Sequence, residues 1–300
     1  MRDFPAPPDV PSDQVATGEA VLRYEDLCQD GRVILAGLPH AYGEVVFRKL
    51  LARDDFAAKA RAIGVLPILS RLVLFGTGEP ISVVPTVQVD GRFALAHAPG
   101  PGGDIDRIFL NLWADVRSAR DRIVGAPPAG RGEDVVAGRV FAEHVFTRLF
   151  APPAERRVKS LAELGLPPVP PDRYTPDAPD ALLALPAGAR WIEDEATPDE
   201  AVTVFSLSHT DSNQHVNSLV YPNLVDEAVA RRLHRLGQRT DRLATRLELC
   251  FRKPFFAGER ARVTLRLFEH GDAIGAACAI TADGATGGRA HTYAQGYFQR

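Results

Sequence analysis

The sequence predicts an α+β fold built twice in one chain, each copy a long helix covered by an antiparallel sheet. Three observations carry this expectation. The second half reads strand, long helix, then four strands; the first half repeats the order; and a proline-rich join separates them.

In the second half, residues 201–209 (AVTVFSLSH) alternate as a strand. A helix is expected from Tyr221 or Pro222 to Leu236. Leu224, Ala228 and Leu236 form one stripe, widened by Val225, Val229 and Leu233, and Gly237 is the stop signal. Residues 246–256, 259–271, 272–281 and 289–299 then have strand length, with Gly or charged turns between them. In the first half, residues 19–28 and 32–38 read as strands and lead to a helical run from about Tyr42 to Ile63. Residues 66–76, 81–91, 92–98, 106–118 and 135–150 follow as strands. Gly-Glu precedes a strand in both halves, and Phe47 and Tyr221 take similar places near the helix starts. A sheet that buries an apolar helix must curve around it, and two such sheets can pair edge to edge. That arrangement is a tandem, or double, hotdog; two unrelated α+β domains are the alternative. The expected division is a flexible terminus over 1–15, a hotdog domain over 16–150, a join over 151–198, and a second hotdog domain over 199–300 that carries the active site. Ten of the 24 prolines fall between Pro152 and Pro198, with one short helix near Lys159 to Leu164.

Composition narrows the function. Hydrophobic residues at 45% and charged residues at 24% suit a chain with a real core. A net charge of −3 gives no electrostatic reason for nucleic-acid binding. No run of about 18 apolar residues suggests a membrane span, and residues 1–14 lack the apolar core of a signal peptide. A cytoplasmic location is expected by default. The cysteines, Cys28, Cys250 and Cys278, form no metal-like pair; Cys250 and Cys278 sit in strand-like runs and read as buried thiols.

Residues 209–228, HTDSNQHVNSLVYPNLVDEA, concentrate the chemistry. Extended backbone would place Asp211, Asn213, His215 and Asn217 on one side. Pro222 fits a first helical turn, so the polar cluster is a loop running into a helix N-terminus. Free N–H groups and the positive end of the helix dipole converge there and suit an oxyanion. A carboxylate can take a proton from water, an amide can hold that water, and an imidazole can orient the carboxylate or assist the leaving group. No cofactor or metal is called for. An Asp-x-Asn-x-His turn also serves simply to cap a helix, with the imidazole packed nearby.

The string Asp211-Ser-Asn213-Gln-His215-Val-Asn217-Ser218, followed by Tyr221 and Glu227, resembles the helix-start signature of acyl-[acyl-carrier-protein] thioesterases and of the wider 4-hydroxybenzoyl-CoA-thioesterase-like hotdog group. The strand LELCFRKPF downstream is similar too. The resemblance implies tandem hotdogs, one active site in the C-terminal one, and hydrolysis of an acyl thioester. It places Asp211, Asn213 and His215 in the catalytic set and adds Glu227 as a second carboxylate; a surface acid beside Arg231 is the other reading of Glu227. Asn217 and Tyr221 are expected on the substrate side. Ser218 replaces a second Asn, and Pro254 and Phe255 stand where plant members carry Glu-Cys. The first half has Leu38-Pro39-His40-Ala41-Tyr42-Gly43, with Glu44 after it, and lacks the cluster; the resemblance implies that it supplies an acyl-chain pocket. Arg231, Arg232, Arg235, Arg239, Arg242 and Arg246 either steer an acidic carrier or a pantetheine phosphate, or form a solvated helix end. The expected partner is an acyl carrier protein or acyl-CoA, with no nucleic acid or membrane, and a homodimer is left open. A non-hydrolytic acyl-binding or regulatory protein is the second reading. A double-hotdog dehydratase is the third, and Gly43 falls too close to His40 for its usual motif.

Overall fold

A computed structural model describes residues 3–52, 56–285 and 288–300. Among them, eleven strands form one antiparallel sheet: β1 Val15–Ala20, β2 Val65–Gly76, β3 Val87–Pro99, β4 Ile105–Ala119, β5 Asp134–Arg148, β6 Arg190–Trp191, β7 Thr197–Val204, β8 Leu243–Phe251, β9 Arg260–His270, β10 Ala273–Ala282 and β11 Thr292–Gln299. The order is β1-β3-β4-β5-β2-β8-β11-β10-β9-β6, with β7 also on β9. From the β2–β8 contact outward the halves repeat each other: β2, β5, β4, β3, β1 on one side and β8, β11, β10, β9, then β6 and β7, on the other.

The β2–β8 register pairs Arg71 with Cys250 and Leu74 with Leu247. Alternation then sends Leu72, Leu74, Leu247 and Leu249 to the core, and Arg71, Val73, Arg246 and Glu248 to the opposite face. That second face is covered as well. Arg71 Nε donates to Glu248 Oε1 at 2.8 Å, across 177 residues of sequence, and Arg71 also pairs with Asp177 at 3.3 Å. Tyr174 and Ser70 donate to Glu143. Within residues 151–198, the carbonyls of Leu182 and Ala184 accept from Gln295. Near the N-terminus, Pro5 O accepts from Trp113 Nε1 at 3.1 Å, and Asp3 O accepts from Arg246.

The second-half helix is α4, Val220–Arg235, starting close to the expected position. It buries Tyr221, Leu224, Val225, Ala228, Val229 and Leu233. Arg232 is buried with them because Glu193 and the Thr197 carbonyl take its guanidinium. The first-half helical run comprises α1 Leu38–Tyr42, a π turn over Gly43–Phe47, α2 Arg48–Leu51 and α3 Phe56–Ala62. It starts four residues earlier than expected, with Pro39 in its first turn. Residues 53–55 of the expected helical run lie outside the described residues.

Three strand expectations are corrected. Residues 81–91 and 92–98 are not two strands: β3 runs through Gly91 from Val87 to Pro99. Gly91 is a point of close approach, where a Cβ would collide with Val46 from the π turn. Residues 19–28 leave the sheet after Ala20, because Asp26 accepts from Arg23 N at 2.8 Å and from its guanidinium, closing a 3-10 turn. Residues 32–38 hold the 3-10 turn Leu35–Gly37 and then α1.

Arg71→Leu is expected to destabilise the fold, because it removes one of the two guanidinium groups, with Arg246, that offset the buried Glu248 carboxylate. Arg71→Leu combined with Glu248→Leu is expected to recover only part of that loss, since the buried Arg246 then loses its carboxylate partner. Urea unfolding of both variants checks the pair.

Candidate active site

The polar cluster is a closed loop between β7 and α4, and its backbone explains its shape. Thr210 bridges Val216, Asp211 N–H donates to the His215 carbonyl at 3.2 Å, and Gln214 N–H donates to the Asp211 carbonyl at 3.0 Å. Gln214 turns the chain with φ 66°. Asp211 Oδ1 accepts from Asn213 N–H at 2.8 Å, which makes an Asx turn. The segment is therefore not extended, and the expected one-sided alternation is replaced by a hairpin. Asp211 and His215 become neighbours across its base, with Asn213 at the exposed tip. His215 Nδ1 lies 3.2 Å from the Val216 carbonyl. A carbonyl only accepts, so Nδ1 is the donor in this contact and Nε2 is left free of it.

The loop is fastened at both sides. Val216 N–H donates to the Phe255 carbonyl at 2.8 Å, and Asn217 N–H to the His209 carbonyl at 2.9 Å. Asn217 Oδ1 accepts from Leu219 N–H at 2.8 Å, so this residue shapes the turn into α4. Tyr221 is buried in an aromatic cluster, 5.3 Å from the Phe251 ring and 6.5 Å from Phe255. Burial pushes its phenol up to about 12. Phe255 is fully buried and stacks on His291 at 4.0 Å. Burial, with Lys253 nearby, lowers the His291 imidazole. Sequence reading did not pick out Phe255 as a support or His291 at all; only the turn after β8 and the start of β11 bring them under the loop.

No family model and no curated protein matches the sequence. Solved structures do match. One is an acyl-ACP thioesterase from Bacteroides thetaiotaomicron, at 12% identity over 96% of this chain and 98% of that one, with a TM-score of 0.59. Another is the 12:0-ACP thioesterase from Umbellularia californica, at 14% identity over 95% and 97%, also with a TM-score of 0.59. The chain is a double hotdog. At these identities the likeness establishes the fold, and the chemistry has to be argued from this chain's own residues.

In this double hotdog Glu227 stands apart from the loop's hydrogen bonds. It is largely exposed, and its partner is Arg231, one turn along α4, at 3.3 Å. It also lines a cleft of about 240 Å³, with Asp226, Leu233, Arg242 and Phe298, which the loop does not line. Of the six arginines after the motif, Arg231 pairs with Asp199, Arg232 with Glu193, Arg239 with Asp241 and Arg246 with Glu248. Arg235 and Arg242 have no ion pair among the described residues. Cys250 and Cys278 are free and buried, their thiols pushed up to about 12 by burial. Among the described residues no group of three or more His, Cys, Asp or Glu side chains is placed to hold a metal, and no helix is long and apolar enough to cross a membrane.

Asp226 has an orphaned buried Oδ1, and burial, with Glu227 adding repulsion, raises its carboxyl from 3.8 to about 7. A raised folded-state value means the folded protein holds a proton that the unfolded chain has already lost. Stability therefore falls as pH climbs from about 4 to about 7 and then levels off. Asp226→Asn is expected to remove this fall, gaining roughly 2–4 kcal/mol at pH 8 relative to its effect at pH 4. Urea unfolding at the two pH values measures it.

Proposed function

We propose that the chain hydrolyses an acyl thioester carried by an acyl carrier protein or coenzyme A, with Asp211 as the general base. The observation that carries this reading is the Asp211–His215 hairpin, closed by backbone hydrogen bonds directly before α4. The fold shared with the two thioesterases and the resemblance of the 209–228 string support it.

With Oδ1 held by Asn213 N–H, Asp211 uses Oδ2 to take a proton from water as the water oxygen attacks the thioester carbon. The carbonyl electrons move to oxygen, and the N-terminus of α4 stabilises that oxyanion. The tetrahedral intermediate then collapses and the C–S bond breaks. The proton on Asp211 passes to the departing sulfur, so water and thioester become carboxylic acid and thiol. Asn213 holds the water. His215, through its Nε2 lone pair, orients the water and shares its second proton. Asn217, its Oδ1 committed to Leu219, has only its amide NH₂ left for the substrate. Glu227 is the second carboxylate of this scheme, and recruiting it requires giving up Arg231. Tyr221 shapes the substrate side from within the aromatic cluster.

A non-hydrolytic acyl-binding protein is the second reading, favoured by one observation. Phe255 offers only a buried ring where plant members carry a polar pair.

Asp211→Asn is expected to lower turnover roughly 100- to 10,000-fold, the usual share of a general base, while circular dichroism stays unchanged. Full activity in the folded variant would move the base to Glu227. Thiol release across acyl-CoA and acyl-carrier-protein panels gives the rate. A thioester recovered intact across the panel favours the binder. Turnover is also expected to survive a chelator and a thiol-alkylating reagent, since the mechanism uses neither a metal nor the buried Cys250 and Cys278.

A further inference from the structure

One residue outside the catalytic set links both ends of the Asp211 hairpin. His209 closes the short 3-10 turn Leu207–His209, between β7 and the hairpin. Its backbone N–H donates to the Ser206 carbonyl at 3.0 Å, and its ring Nδ1 accepts from Ser206 N–H at 3.1 Å, so the two residues are clamped reciprocally. The His209 carbonyl accepts from Asn217 N–H at 2.9 Å, on the far side of the hairpin. Its ring packs edge-on against Phe205, at 5.9 Å and 89°. Phe205 in turn lies 5.0 Å from Phe255, whose carbonyl holds Val216. A backbone N–H only donates, so His209 Nδ1 is unprotonated in this contact and the ring proton sits on Nε2. A protonated imidazole carries hydrogen on both nitrogens and cannot accept from Ser206. The ionisable side chains on the segments packed around His209 are Asp211 and His215 on the hairpin, Lys253 and Glu259 between β8 and β9, Arg260 at the start of β9 and His291 before β11. Among the described residues none of them pairs with the His209 ring, whose hydrogen bond goes to Ser206.

We propose that His209 is a positioning residue, a latch that holds Asp211 in place before α4 while its ring is neutral and releases the hairpin when its ring is protonated. The effect on turnover rests on the hydrolase reading above, while the latch itself does not. With the ring neutral, Ser206 ties the end of β7 to His209, and the His209 carbonyl ties the entry of the hairpin to its exit at Asn217. Protonation turns an Nδ1–H toward the Ser206 N–H, so that two donors face each other and the bond is lost. The 3-10 turn loosens, and Asp211, two residues further on, loses its fixed place relative to the N-terminus of α4. Imidazoles change charge between about pH 5 and 8, so the latch opens on the acid side. His209 makes no contact with the substrate in this scheme. Its loss misplaces the base and so appears in kcat rather than KM.

Two variants test the latch. In His209→Asn the side-chain oxygen stands as many bonds from Cα as Nδ1 does; it accepts from Ser206 and cannot be protonated. The ratio of its kcat to that of the unsubstituted chain is expected near one at about pH 8 and to rise roughly tenfold by about pH 5. Ionisation of Asp211 and His215 is common to both proteins and cancels in this ratio. His209→Ala lacks the acceptor at every pH, and its kcat is expected to fall roughly ten- to 100-fold at the higher pH, with KM little changed. Hydrogen exchange at the amides of Ser206, Asp211, Val216 and Asn217 reads the latch without any hydrolysis. Corrected for intrinsic exchange, their protection in the unsubstituted chain is expected to drop at the lower pH, and in His209→Asn to persist. A kcat ratio or a protection that stays flat between the two pH values overturns the proposal, as does full kcat in a folded His209→Ala protein. A chain that shows the change in protection but hydrolyses nothing overturns the hydrolase and leaves the latch standing.

Discussion

The pairing of β2 with β8 is the contact on which the rest of the molecule depends. Each half ends in a strand edge that would otherwise present unpaired N–H and C=O groups. Joining the two edges removes both and makes one continuous sheet. The join also fixes what lies above and below it. Leu72, Leu74, Leu247 and Leu249 give the core an aliphatic floor at the seam, and Arg71 and Glu248 give the other face a buried ion pair. A buried pair is a weak source of net stability, because desolvation offsets most of the attraction. Its effect here is on register: a slip of one residue would send the leucines outward and drive Arg71 into the core. Tyr174 and Asp177 then explain the path of the proline-rich stretch, since they supply partners over a patch of charge that water cannot reach freely.

The positions of most strands along the chain were legible in the sequence because alternation survives in the residues; their order in the sheet was not. The errors came where a local interaction outweighed the pattern. Gly91 reads as a turn, yet it sits mid-strand because Val46 presses against it. Asp26 reads as one polar residue in an alternating run, yet its carboxylate takes the Arg23 N–H and ends the strand. The first-half helix was the least legible element. Its π turn carries Val46, which packs so closely on the sheet at Gly91 that a Cβ there would collide with it.

The candidate site divides in the same way. Pro222 correctly limited the helix, which left a loop at its start. The hairpin within that loop was not legible, since it depends on Gln214 adopting a left-handed conformation that side chains other than glycine rarely take. Asp226 was missed for a different reason. One acidic residue on an amphipathic helix looks like a surface charge, and only the fold, which brings Thr240, Arg242 and the ends of β8 and β11 beside it, leaves its Oδ1 buried.

The way the loop is held also determines how its chemistry can be separated from its structure. Most of its fastening runs through backbone: Asp211 to His215, Gln214 to Asp211, Val216 to Phe255, Asn217 to His209. The His215 and Asn213 side chains are therefore carried by the loop more than they hold it together. Asp211 differs, because its Oδ1 closes the Asx turn while Oδ2 is the oxygen assigned to the water. Alanine at this position would remove both and confuse a lost base with a loosened loop. Asparagine keeps an acceptor oxygen for the Asn213 N–H and removes only the capacity to take a proton. The fully buried Phe255 carries the opposite burden, since its carbonyl holds Val216 while its ring packs on Phe205, Tyr221 and His291. A polar side chain there would sacrifice that aromatic packing while keeping the carbonyl that anchors Val216. Phe255 thus ties the loop to the aromatic cluster through its ring and to Val216 through its carbonyl.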